Sequence, residues 1–134
     1  MSSVISAQTS VINDANFELY LETHDANGNY VGPNSPNNMG NNIVGDNLVL
    51  TSRINTVTKL EINGNSGVYK IDDFSGIDKF TSLQTFIVSN HSFSSINLTG
   101  NTQLIILEII NSHITTLDIT NNVLLTRLNM SGHI

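Results

Sequence analysis

The chain has 134 residues, enough for one domain, and a formal net charge of −6 at pH 7. Its five basic residues are scattered (Arg53, Lys59, Lys70, Lys79, Arg127), which argues against a nucleic-acid footprint and against anionic lipid. The absence of cysteine excludes disulfides, thiol catalysis and Cys-ligated zinc, and no apolar stretch is long enough for membrane insertion.

Residues 1–12 read as a flexible N-terminus. Within them "VISAQTS" looks like the tail of a secretion signal, although no basic segment and long apolar run precede it. Residues 13–56 read as an N-terminal cap. Its helix spans 13–24, "NDANFELYLETH", with Asn13 or Asp14 as N-cap and an acidic start that suits the helix dipole. Phe17, Tyr20, Leu21 and His24 share one face, which would cover the open end of the first repeat. Residues 25–47 form a long polar loop rich in Gly, Pro, Asn and Asp, and "LVLTSRI" after it suggests a strand.

From residue 57 the chain repeats. Leu83, Phe86, Val88 and Phe93 recur 21 residues later as Leu104, Leu107, Ile109 and Ile114, and Leu125, Leu128 and Met130 begin a third copy. Ile96 and Leu98 answer Leu117 and Ile119; Asn90 answers Asn111; Asn101 answers Asn122. An earlier unit, with Val57, Leu60 and Ile62, precedes Leu83 by a step of 26 residues. The extra length falls in "KIDDFSGIDKF", where Ile71, Phe74, Ile77 and Phe80 recur every three residues and predict a short helical turn. "LEI", "FIV", "LEI" and "LNM" alternate as strands do. A 21-residue unit cannot bury its own apolar side, so stacking of parallel strands is expected. The prediction for 57–134 is an α+β repeat solenoid of about three and a half coils, with one capping helix and an uncapped C-terminal end. "SSINLT" and "TTLDIT" give a second alternating stretch, and Asn at matching turn positions can satisfy backbone groups in a ladder.

These phrases resemble leucine-rich repeat proteins of Bacteroidetes-like bacteria, over roughly residues 9–134. "TQLIILEIINSHITTLDITNN" looks like a diverged form of "LTTLDCSNNQLTSLDLSNN"; "VINDANFELYLETHDANGN" is similar to a cap written like "IPDANFEAYL"; "DDFSGIDKFTSL" resembles "LTGIEDFTAL". Many relatives carry Cys where this chain has Val88, Ile109 and Met130, and Asn where it has His91, Ser112 and His133; Asn65 keeps the pattern. The resemblance implies a right-handed coil that binds proteins or surfaces in adhesion or recognition, outside the cell or on its surface, and no catalytic chemistry.

The candidate sites are few. His91 and His133 share a repeat position two units apart, about 10 Å at ~4.8 Å per unit, too far for one metal ion. Backbone-bonded turn histidines are expected instead. Asp25, Asn27 and Asn29 match the start of a calcium loop, but its twelfth position is Pro36 where a Glu is needed, so a polar turn is expected and no cofactor. No nucleophile–base pattern is visible, and the chain is not expected to be an enzyme.

The outward strand positions are more informative. Their columns run Lys59, Thr85, Ile106, Arg127; then Glu61, Ile87, Glu108, Asn129; then Asn63, Ser89, Ile110, Ser131. Ile87, Ile106 and Ile110 would cluster there, rimmed by Glu61, Glu108, Arg127 and Lys59, the anatomy of a contact surface. At the end of the chain Leu125, Leu128, Met130 and Ile134 would face a missing neighbour, so the sequence is a fragment of a longer repeat protein or its open end packs on another chain. The expected partners are a protein or further copies of this chain. The alternative function is a structural subunit of a larger assembly, a virion or a cell-surface array.

Overall fold

The computed structural model describes residues 7–132, so residues 1–6, His133 and Ile134 lie outside it. Chain order begins with strand β1 (Thr9–Val11), helix α1 (Ala15–Thr23), strand β2 (Leu48–Leu50) and the single turn α2 (Thr51–Ile54). The strands β3 (Lys59–Asn63), β4 (Thr85–Ser89), β5 (Ile106–Ile110) and β6 (Arg127–Ser131) follow, with a 3-10 turn at Ile77–Lys79 between β3 and β4.

The cap departs from expectation at three places. The flexible reading of 1–12 is corrected for residues 9–12, residues 1–6 lying outside the described part: β1 pairs antiparallel with β2, Ser10 opposite Val49, and Ile12 is fully buried with its N–H on Asn47 O. The stretch "LVLTSRI" divides into β2 and α2 rather than one strand. Helix α1 is shorter than 13–24. Asp14 alone caps it, its Oδ1 accepting from Asn16 N and Phe17 N, and His24 ends it in extended backbone.

Asp14 also joins the cap to the first repeat. Its Oδ2 accepts from the N–H groups of Asp72 and Asp73, while Asn16 Nδ2 donates to Lys70 O. Beneath this seam Phe17 meets Phe74 edge-on at 5.1 Å and Phe80 at 6.2 Å, and Phe74 meets Phe86 and Phe93. All five phenylalanines are buried here, so the helix face that reads as a cover packs on the core of the first repeat.

The repeats form one four-stranded parallel sheet in the order β3-β4-β5-β6. Register pairs Ile62 with Val88, Val88 with Ile109 and Ile109 with Met130, so the 21-residue and 26-residue steps both become strand neighbours. The same hydrogen bonds recur in each step. Thr58 O, Gln84 O and Ile105 O each accept two N–H groups from the next strand's start. Gly64 N, Asn90 N and Asn111 N each donate to the next strand's last residue. The inserted residues close through the 3-10 turn, where Ile71, Phe74, Ile77 and Phe80 all point inward.

The far stretches "SSINLT" and "TTLDIT" alternate in sequence but form no ladder. Buried Asn side chains tie the units there. Asn101 Nδ2 donates to Ile77 O and Phe80 O, and Asn122 Nδ2 to Leu98 O and Asn101 O. An amide that satisfies two carbonyls of the preceding unit replaces strand pairing on that side.

Candidate binding face

Parallel register sets the three predicted columns side by side on the outer face of the sheet. Thr85 pairs with Ile106, Glu61 with Ile87, Ile87 with Glu108 and Ser89 with Ile110. Strand alternation aims Phe86, Val88, Leu107 and Ile109 into the core and leaves Ile87, Ile106 and Ile110 half-buried on the outside. Glu108 lies between them, and Arg127 Nη2 reaches its Oε1 at 3.1 Å. Lys59 Nζ sits 3.6 Å from Glu61 Oε2 at the opposite margin, where both are exposed. The face thus sets three isoleucines around the Glu108–Arg127 ion pair, with the Lys59–Glu61 pair at its far margin.

One border of this face is an Asn ladder. Asn63 Oδ1 accepts from Asn90 Nδ2, and Asn90 Oδ1 from Asn111 Nδ2 at 2.9 Å. Asn90 and Asn111 turn the chain with φ of 63° and 55°, and Gly132 takes φ 68° at the next matching position. Asn is one of the few side chains that tolerate this left-handed backbone. His91, next to it, is buried. Its Nδ1 accepts from Ile71 N and its Nε2 donates to Ile62 O, so it serves as a backbone-bonded histidine. Burial pushes its pKa below 6.5.

The loop "DANGN" is a polar turn. Asp25 Oδ1 accepts from the N–H groups of Asn27 and Asn29. These bonds, chiefly that from Asn29, hold the Asp25 carboxyl below its usual range.

A buried acidic pair lay outside the sequence reading. Glu18 and Glu22, one turn apart on α1, are almost wholly buried. Glu18 accepts from Gly45 N and Asn47 N, and Glu22 from Asn41 N and Asn42 N. Burial raises both carboxyls; neighbouring Asp46 raises them further and the backbone donors oppose it. Oxygens of Glu18, Glu22 and Asp46 lie within 4.8 Å of one another, but each Glu oxygen already holds a backbone N–H, so the cluster is a loop anchor. Arg53 completes that anchor through Asn38 Oδ1, Asn42 Oδ1 and the carbonyls of Asn38 and Gly40.

At the last strand the predicted end residues are less covered than their equivalents. Leu104, Leu107 and Ile109 are fully buried, whereas Leu125 and Met130 are half-buried and Leu128 is 47% exposed. Val123 and Leu124 beside them are exposed. No helix among the described residues is long and apolar enough to cross a membrane.

No family model matches the chain and no curated protein matches it. Among solved structures the chain is similar to the functional domain of InlJ from Listeria monocytogenes, with a TM-score of 0.65 and 22% identity. The likeness covers 96% of this chain and 25% of that one, so this chain spans about a quarter of its neighbour's length. The InlJ domain includes a cysteine ladder; this chain has no cysteine and stacks Ile62, Val88, Ile109 and Met130 in one inward column. The repeat register and this neighbour together give the chain a leucine-rich-repeat-like fold.

Proposed function

We propose that the chain is a non-catalytic protein-binding module of the adhesion or recognition type, acting outside the cell or on its surface. The observation that carries this reading is the outer sheet face. Three half-buried isoleucines on the neighbouring strands β4 and β5 surround Glu108 there, with Glu61 and Arg127 on the strands to either side. Aliphatic side chains without a partner on a sheet surface gain by being covered, and the ion pairs at the margin orient what covers them. The resemblance of the cap and repeat phrases to leucine-rich repeat proteins of Bacteroidetes-like bacteria supports an extracellular setting. The similarity of fold to InlJ agrees with a protein-recognition role but does not name a partner.

The test is attachment of fluorescently labelled protein to intact bacterial and epithelial cells. The double variant Ile106→Ser and Ile110→Ser, checked for native circular dichroism, is expected to lose attachment by tenfold or more, the combined effect of two truncated apolar contacts of about 1 kcal/mol each. Attachment equal to the parent protein would refute the assignment to this face.

The second reading is a structural subunit of a larger assembly, such as a virion or a cell-surface array, joined through Leu125, Leu128 and Met130. The exposure of Leu128 favours it. Analytical ultracentrifugation decides: concentration-dependent association lost in Leu128→Asp supports assembly, and a strict monomer at millimolar concentration removes it.

A further inference from the structure

Strand β3 is an outer strand of its sheet, paired only with β4 among the described residues. Thr58 O accepts from Gln84 N and Thr85 N, and Gly64 N donates to Ser89 O, so the even-numbered positions aim their main-chain groups at β4. Main-chain groups two residues apart point the same way. Lys59, Glu61 and Asn63 therefore present their N–H and C=O groups to the opposite edge. The cap stands across from that edge without closing it. Between them lies a cavity of about 680 Å³, walled by β3 on one side and the turn at residues 25–28 on the other. Tyr20 reaches into it and donates its hydroxyl to Glu61 O at 3.3 Å. That bond occupies one of the edge carbonyls and leaves the Lys59 N–H, the Lys59 C=O and the Glu61 N–H facing the cavity.

The walls are acidic on balance. Asp25 and Glu61 line the cavity, and the one basic group lining it, Lys59, is paired with Glu61 at 3.6 Å. The Asp25 carboxyl is fixed in place by the two N–H groups of its own turn. An open strand edge inside a groove selects an extended polypeptide, because only a main chain offers alternating donors and acceptors at the strand spacing. The acidic walls select its side chain.

We propose that this groove binds a short extended peptide segment of a partner protein, which adds to β3 as a further strand and directs a Lys or Arg side chain at Asp25 and Glu61. The Lys59 N–H, Lys59 C=O and Glu61 N–H form its main-chain bonds, and Tyr20 limits the length that pairs. Strand β3 offers about 16 Å of edge, the span of about five residues. The site shares Lys59 and Glu61 with the margin of the isoleucine face but uses none of Ile87, Ile106 and Ile110, so peptide binding in the Ile106→Ser and Ile110→Ser variant separates the two readings.

The experiment uses two capped pentapeptides, acetyl-Thr-Val-Lys-Val-Thr-amide and the same peptide with norleucine for lysine, titrated into 15N-labelled protein. The lysine peptide is expected to bind at about millimolar Kd, shift the Lys59, Glu61 and Asn63 amides, and slow exchange of the Lys59 and Glu61 amides. Norleucine is expected to weaken it roughly threefold to fivefold, and Asp25→Asn or Glu61→Gln to do the same for the lysine peptide only. N-methylation of the central peptide nitrogen, which removes a strand donor, is expected to cost about fivefold or more. Shifts confined to β4 and β5, equal affinity for both peptides, indifference to N-methylation, or no binding at 10 mM (about ten times the expected Kd) would each overturn the proposal.

Discussion

His91 offers the sharpest test of how the repeats are joined. It is 1% exposed and spans two neighbouring segments, accepting from Ile71 N at 3.0 Å and donating to Ile62 O at 2.9 Å. Its ring also meets Phe74 edge-on at 5.3 Å. His91→Ala leaves the Ile71 N–H buried without a partner, which costs about 1–3 kcal/mol. Ile62 O faces the ladder side of β3, so its loss is milder. Removing the imidazole from between Ile71 and Phe74 adds a cavity, and the sum is about 3 kcal/mol. That is a large share of a typical stability of about 5–15 kcal/mol. His91→Asn, which keeps one acceptor and one donor on a shorter side chain, is expected to cost about 1 kcal/mol.

The pH dependence follows from the same bonds. Protonation would place a second N–H against the Ile71 donor, and burial already holds the His91 pKa below 6.5. Between those two values the unfolded chain binds more protons than the folded one, so stability rises with pH and is lost as pH falls from about 6.5 through the lowered folded value. His24 is shifted down by burial and acts in the same direction. Glu18 and Glu22 are shifted up and act oppositely: their contribution is full below the usual 4.5 and is lost as pH rises. The difference between wild type and His91→Asn isolates the one group. Urea denaturation at pH 7.5 and 5.5 measures it. A His91→Ala cost under about 1 kcal/mol at pH 7.5, or an unchanged pH slope in His91→Asn, would refute the bridging role.

Two further outcomes are expected from the repeat and the cap. Leu107→Ala, at a fully buried site, should cost about 2–5 kcal/mol, whereas Leu128→Ala, at the matching but half-exposed site, should cost about 1 kcal/mol or less by urea denaturation. Equal costs would mean that Leu128 is covered in solution. Glu22→Ala removes the acceptor for Asn41 N and Asn42 N, and should cost about 2 kcal/mol and speed amide exchange across residues 41–47. Unchanged exchange there would show that Glu18 and Arg53 hold the loop without Glu22.

Much of this was legible because a repeat states its register twice. Leu83 and Leu104, or Val88 and Ile109, name their neighbours by spacing alone, and the outer columns then follow from alternation. The 26-residue step was legible for the same reason, since strand pairing fixes both of its ends and forces the surplus into the turn at Ile77–Lys79. The cap carries no such redundancy. β1 and β2 have three residues each, too few for alternation to register, and they pair across the long loop. Nothing in the sequence pointed to burial of Glu18 and Glu22, because acidic residues are seldom buried. Their partners are backbone N–H groups 19 to 29 residues away, and a backbone donor leaves no trace in side-chain sequence. "SSINLT" misled in the other direction. Its alternation records that Leu98 faces inward, not that a ladder forms, and Asn101 and Asn122 supply the bonds that a ladder would have made.

The groove beside β3 was illegible for a related reason. Asp25 and Glu61 come together only because Asp14 and Phe17 dock α1 against the inserted turn, which fixes where the loop after α1 lands. The insertion that makes the first repeat irregular therefore positions the cap, and the cap shapes the groove. The regular repeats work differently: each unit is completed by the next, as the burial of Leu104 and Leu107 against the exposure of Leu128 demonstrates. One edge of the sheet is thus polar, recessed and shaped by tertiary docking, while the other is apolar and shaped by repetition. A partner that recognises a main chain suits the first edge. Whatever continues the second edge, a further repeat included, must bring an aliphatic surface that extends the stack.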